Sequence, residues 1–167
     1  MAEIRLQKID EEMRELHWYL TENDTCYFLF EYTSRKGFDY NYTNQFIFNL
    51  KKSPARKGLQ DYKYKGRAIR TCSSILSHPQ LFNQDWLKKG TLVPVPPSKS
   101  KAHAEYDDRL VQVLNGIARP FPVDVRELVI QNIDMVPAHL APDERLSVEE
   151  LLDAYSIQED IADPEPT

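Results

Sequence analysis

The segment from residue 97 to residue 101 combines hydroxyl and ammonium groups in a way that suits the binding of an anion. It contains, in order, Pro97, Ser98, Lys99, Ser100 and Lys101. Hydroxyls and loop amides donate hydrogen bonds to phosphate oxygens, and the two ammonium groups add full positive charges. The segment therefore predicts a phosphate or pyrophosphate site. An ordinary solvated loop has the same composition, and the segment lacks the glycines of a P-loop or a dinucleotide fingerprint.

The residues on either side of this segment predict the elements that would position it. The apolar run from Leu92 to Val95 is typical of a buried strand, in which Pro94 and Pro96 remove alternate ladder donors. After the segment, apolar residues recur at helical spacing: Tyr106, Leu110, Val113, Leu114 and Ile117. Open α/β sheets bind ligands at the carboxyl ends of their strands, beside helix N-termini. A strand, a basic loop and a helix in this order would place an anion at such an end.

The N-terminal half of the chain has two apolar stripes that predict amphipathic helices, and an aromatic run that predicts a strand. An amphipathic helix of about four turns is expected between Leu6 and Leu20, and aromatic residues predict a strand at 26–32. Residues 43–52 fit a helix, which we favour, or a strand. A second stripe runs from Tyr62 to His78. Its N-terminal half carries basic residues that fit either a solvated face or contact with a phosphate or a partner: Lys63, Lys65, Arg67 and Arg70.

The C-terminal part predicts a second core strand, a short helix and a tail. The strand is expected at 125–130, and the helix should begin at the capping box formed by Ser147 and Glu150. Acidic residues and prolines predict a disordered tail or linker at 159–167.

The composition fits an ordinary folded domain and excludes several functional classes. Apolar residues make up 41% and charged residues 28% of the 167 residues, which is enough for a packed core. The net charge of −5 makes general binding of nucleic acid unexpected. The four histidines are scattered, so no metal centre is expected from them, and Cys26 and Cys72 fit reduced core thiols. The chain shows no signal-peptide pattern and no apolar run long enough for a membrane span, so a cytoplasmic location is expected.

Three segments together resemble the ComF-like branch of type I phosphoribosyltransferases. They are 62–67 (YKYKGR), 92–99 (LVPVPPSK) and 106–110 (YDDRL), and the resemblance covers about residues 45 to 157. It implies an incomplete, Rossmann-like parallel α/β sheet at 61–157, an N-terminal helical or hood region at 1–60, and a flexible acidic tail at 158–167.

The resemblance also implies roles for single residues. In that family the loop after the first core strand contacts the pyrophosphate of phosphoribosyl pyrophosphate, with Mg²⁺ as cofactor, and here that loop is 97–101. Arg109 would brace the loop or reach a phosphate, unless it forms a salt bridge to Asp108 or Glu105. Arg145 would close over the ligand.

The family's defining motif has no counterpart in the sequence. That motif is a strand followed by two acidic residues and a Thr/Gly loop that binds the ribose 5′-phosphate. Truncation, a split protein or degeneration would each explain its absence.

Three functions follow as hypotheses. The first is a phosphoribosyltransferase or fragment that is inactive alone. The second is a non-catalytic regulatory or partner-binding protein, in DNA uptake, stress or phage defence. The third is an unrelated α/β protein. Expected partners are a phosphorylated small molecule and a protein, or a second copy of the chain, covering the open sheet edge.

Overall fold

The computed structural model describes residues 5–17, 19–81, 83–118, 122–135 and 147–166. The chain divides into two compact units, Met1–Phe48 and Asn49–Thr167. The sequence had placed the first boundary at residue 60. Within the described ranges the chain is a mixed α/β protein, as predicted, with short strands arranged in three two-stranded sheets.

The first unit begins with a small antiparallel ribbon instead of the long helix that the sequence predicted. β1 (Gln7–Lys8) pairs with β2 (Tyr27–Phe28), and between them α1 (Glu11–Arg14) makes a single turn. Asp10 starts this turn by accepting a hydrogen bond from the backbone of Met13 at 2.9 Å. The predicted four-turn helix is therefore wrong. Leu16, which would have lain on its buried face, is 81% exposed, and a short helix needs such packing to persist.

Asn44 organises the rest of the first unit. Its side chain is fully buried, accepts a hydrogen bond from the backbone N–H of Thr33 at 3.1 Å, and donates to the carbonyls of Thr33 and Lys36 at 3.0 and 3.1 Å. It lies on α2 (Tyr42–Leu50), which confirms the helix that we favoured at 43–52. The ring of Phe46, also on α2, packs against the ring of Phe30 with centroids 5.5 Å apart.

Two helices, α3 (Lys63–Leu76) and α5 (Arg109–Ala118), form the core of the second unit. Both were predicted from their apolar spacing. Their buried residues include the following, most of them apolar: Ala68, Ile69, Ser73, Ile75, Val113 and Ile117. The Ser73 hydroxyl lies within hydrogen-bonding distance of the carbonyls of Ile69 and Val113, at 3.1 and 2.9 Å. The 3₁₀ turns Pro54–Arg56 and Gln60–Tyr62 precede α3, and α4 (Gln84–Lys89) follows it.

Helix α5 connects two parallel strands. β3 (Thr91–Leu92) pairs with β4 (Asp124–Val125), with Thr91 opposite Asp124. The predicted strand from Leu92 to Val95 ends at Leu92, because a proline at position 94 cannot donate to a ladder. The predicted strand at 125–130 is divided into β4 and β5 (Val129–Gln131), which belong to different sheets. The sequence predicts an incomplete, Rossmann-like parallel sheet, and among the described residues parallel pairing is limited to β3 with β4.

The C-terminal segment contains a helix and a strand, and the strand pairs with β5. α6 (Val148–Asp153) begins with the predicted capping box, and β6 (Tyr155–Ile157) pairs antiparallel with β5. The predicted flexible tail contains a 3₁₀ turn, Glu159–Ile161. The Arg126 guanidinium donates hydrogen bonds to the carbonyls of Ile161 and Pro164 at 3.1 and 2.6 Å. Among the described residues, no helix has the length and apolar character required to cross a membrane.

Candidate anion site

The loop 97–101 lies beyond the carboxyl end of β3 and is held by the segment that follows β5. The Ser98 carbonyl accepts a hydrogen bond from the backbone N–H of Met135 at 2.8 Å. The Ser100 backbone N–H donates to the Asp134 carboxylate, also at 2.8 Å. This hydrogen bond is the main cause of a lowered pKa at Asp134. One loop amide is therefore already engaged by an internal anion.

The side chains of Lys99 and Lys101 line a concavity between the loop and the start of α5. Its walls also include Pro97, Tyr106 and Glu127. The internal volume is about 20 Å³, which is room for roughly one water molecule. A pyrophosphate is larger than this, so the lining side chains would have to move apart to admit it.

Lys101 is paired with a carboxylate inside this wall. Its ammonium lies 2.9 Å from the Glu127 carboxylate, which also accepts a hydrogen bond from the Tyr106 hydroxyl at 3.3 Å. Burial, together with the charge of Glu127, raises the pKa of Tyr106 to about 12. Tyr106 therefore carries its proton at neutral pH and acts as a hydrogen-bond donor to Glu127.

Arg109 forms a salt bridge, but with neither of the carboxylates that the sequence suggested. Its guanidinium lies 2.7 Å from Asp107, and its backbone N–H donates to the other oxygen of the same carboxylate at 3.2 Å. Asp107 lines the concavity and Arg109 does not. The alternative of a salt bridge is thus correct for Arg109, with Asp107 in place of Asp108 or Glu105.

Lys65 does not lie on a solvated helix face, which was one of the two alternatives left open for the basic residues of this helix. Its side chain is only 3% exposed, and its ammonium lies 2.8 Å from Asp107. A signal was present, because Lys65 precedes Ala68, Ile69 and Cys72 at three-, four- and seven-residue steps and so shares their apolar stripe. Arg145 falls outside the described residues.

Within the described ranges, no cluster of three or more histidine, cysteine or acidic side chains is placed to hold a metal ion. Cys26 and Cys72 are free, half-buried thiols, and burial raises the pKa of Cys72. Comparisons with family models, with curated proteins and with solved structures find no significant match to this chain. Function must therefore be inferred from the residues and their contacts.

Proposed function

We propose that this chain is a phosphoribosyltransferase-type domain, or part of one, whose loop 97–101 binds pyrophosphate together with Mg²⁺. One observation carries the proposal. The loop joins β3 to α5 within a parallel β3–α5–β4 unit, and the side chains of Lys99 and Lys101 line a concavity beside it. In this proposal the β3–β4 pair belongs to an incomplete, Rossmann-like parallel sheet.

The charges around the concavity fit a diphosphate that carries its own cation. Lys99 and Lys101 supply two ammonium groups, and Glu127 supplies a carboxylate oxygen on the same wall. Mg²⁺ is usually held by one or two carboxylates together with the phosphates of the ligand, so a dedicated cluster of protein ligands is unnecessary. The Lys101–Glu127 pair would separate, with Lys101 turning to the phosphate oxygens. Mg²⁺ would supply charge stabilisation for the pyrophosphate leaving group.

The second candidate is a non-catalytic regulatory or partner-binding protein with the same architecture. The sequence favours it because no acidic pair with a Thr/Gly loop is present to bind the ribose 5′-phosphate. Under either proposal we expect no phosphoribosyl transfer by this chain alone, in a cytoplasmic setting. A protein partner, or a second copy, would cover the open edge of the β3–β4 pair. Release of pyrophosphate from phosphoribosyl pyrophosphate by the pure chain would contradict this expectation.

Calorimetry with Mg²⁺ and pyrophosphate tests the loop. The wild-type chain should bind, and Lys99→Ala combined with Lys101→Ala should weaken binding at least about tenfold, because two charges leave the site. Lys88→Ala combined with Lys89→Ala is the matched control, since it removes two exposed lysines at the end of α4. The control should bind within about twofold of the wild type. No binding by the wild type, or equal binding by the loop variant, would favour an unrelated α/β protein.

A further inference from the structure

Lys65 is a buried cation whose three hydrogen-bond donors are all used. Its ammonium donates to the carbonyls of Leu50 and Lys52 at 3.1 and 2.7 Å, and to the Asp107 carboxylate at 2.8 Å. Leu50 is the last residue of α2, where helix carbonyls lack intrahelical partners and carry partial negative charge. Three acceptors therefore hold the ammonium at a fixed position.

Asp107 is shared between this buried cation and a more exposed one. One of its oxygens accepts from both Lys65 and Arg109, at 2.8 and 2.7 Å, and the other accepts from the backbone N–H of Arg109. The exposed fraction of the side chains rises from 3% at Lys65 through 10% at Asp107 to 24% at Arg109. The three residues form a continuous ionic chain from the core to the surface.

The charge balance of this chain matters for the concavity that Asp107 lines. A carboxylate in the wall of an anion site repels the ligand. Arg109 alone would only cancel the charge of Asp107, and the attraction of an anion would then depend on Lys99 and Lys101. With Lys65 included, two cations face Asp107, so these three side chains together carry one positive charge.

We propose that Lys65 is a positioning residue of the pyrophosphate site: it fixes Asp107 and, together with Arg109, outweighs its negative charge, so that this wall of the concavity does not repel the ligand. This inference rests on the proposed function. Lys65 does not itself line the concavity, and its effect passes through Asp107.

The test is calorimetry with Mg²⁺ and pyrophosphate on the full chain and on variants that remove the charge of Lys65, or of both Lys65 and Asp107. Lys65→Met should weaken binding about tenfold, because Asp107 then cancels Arg109. Adding Asp107→Asn to that variant should restore affinity to within about threefold of the wild type, because both buried charges are gone and the excess positive charge returns. Lys63→Met, which removes an exposed lysine of the same helix, should change binding less than about twofold.

The possible results distinguish a failure of this inference from a failure of the proposed function. A wild-type chain that does not bind the ligand overturns the proposed function. A wild-type chain that binds, with Lys65→Met binding equally well, overturns only the role of Lys65. A double variant that stays as weak as Lys65→Met also overturns it, because a purely structural lysine would not be rescued by a charge change. Should Lys65→Met fail to fold, Asp107→Asn alone decides, since the electrostatic account requires it to bind at least as tightly as the wild type.

Discussion

The Tyr106 hydroxyl, the Glu127 carboxylate and the Lys101 ammonium form a short polar chain along one wall of the concavity. The raised pKa of Tyr106 means that the folded protein holds the phenolic proton more tightly than the unfolded chain, in which tyrosine titrates near 10. Between pH 10 and pH 12 the unfolded chain therefore loses a proton that the folded protein keeps. The resulting stabilisation is fully present below pH 10 and is lost as the pH rises towards 12.

Tyr106→Phe removes this titration, so we expect a difference in how stability depends on pH. The free energy of unfolding of the wild type should fall more steeply between pH 10 and pH 12 than that of the variant. Urea denaturation at several pH values from 9 to 12 measures both curves. Parallel curves would show that the Tyr106 proton is not held by Glu127 and by burial as described.

Individual site residues could be predicted from the sequence where their chemistry is local, and not where it depends on distant partners. The sequence placed Lys99 and Lys101 in a loop after a strand, and the structure puts both beside a concavity. It could not reveal that Glu127 would pair with Lys101, because these residues are distant in the sequence and meet only in the folded chain. The ion pair between Lys65 and Asp107 was equally hidden from the sequence, because these residues are 42 positions apart.

Helices α3 and α5 pack closely where Gly116 meets Ser73. A Cβ atom on Gly116 would overlap the Ser73 hydroxyl and lie 2.7 Å from Ser73 Cβ. A Cβ atom on Gly66, in α3, would meet only the end of the Arg70 side chain at 3.4 Å. The two helical glycines therefore differ in what a methyl group would do.

We expect Gly116→Ala to lower the free energy of unfolding by about 1–2 kcal/mol, because the overlap outweighs the helix propensity that alanine adds. Gly66→Ala is the matched control and should raise it by about 0.5–1 kcal/mol. Urea denaturation of both variants measures the changes. Stabilisation by both substitutions would contradict the close packing of α3 against α5.

Helices with a buried apolar stripe were predictable, and the strands were predicted too long. α2, α3, α5 and α6 all lie where spacing or capping signals placed them. The helix that the N-terminal apolar stripe predicted is absent, because a periodic pattern does not ensure that another surface is available to bury the apolar residues. The strands are short because their ends depend on pairing: prolines end the ladder after Leu92, and the 125–130 run changes partner between β4 and β5.

The candidate site belongs to one of the two units of the molecule. Every residue of the proposed site lies in the second unit, Asn49–Thr167, as do α3, α5 and the β3–β4 pair. The proposal assigns the anion to one location, at the loop 97–101 and the start of α5, whereas the net charge of −5 points to no location. The location of binding is therefore more informative than affinity alone.

Titration of the ¹⁵N-labelled chain with Mg²⁺ and pyrophosphate, followed by ¹H–¹⁵N spectra, gives that location. The account predicts that the largest shifts occur at the amides of Ser98 to Lys101 and at Arg109, with little change in the first unit. An absence of shifts, or shifts confined to residues outside the loop and the start of α5, would contradict it.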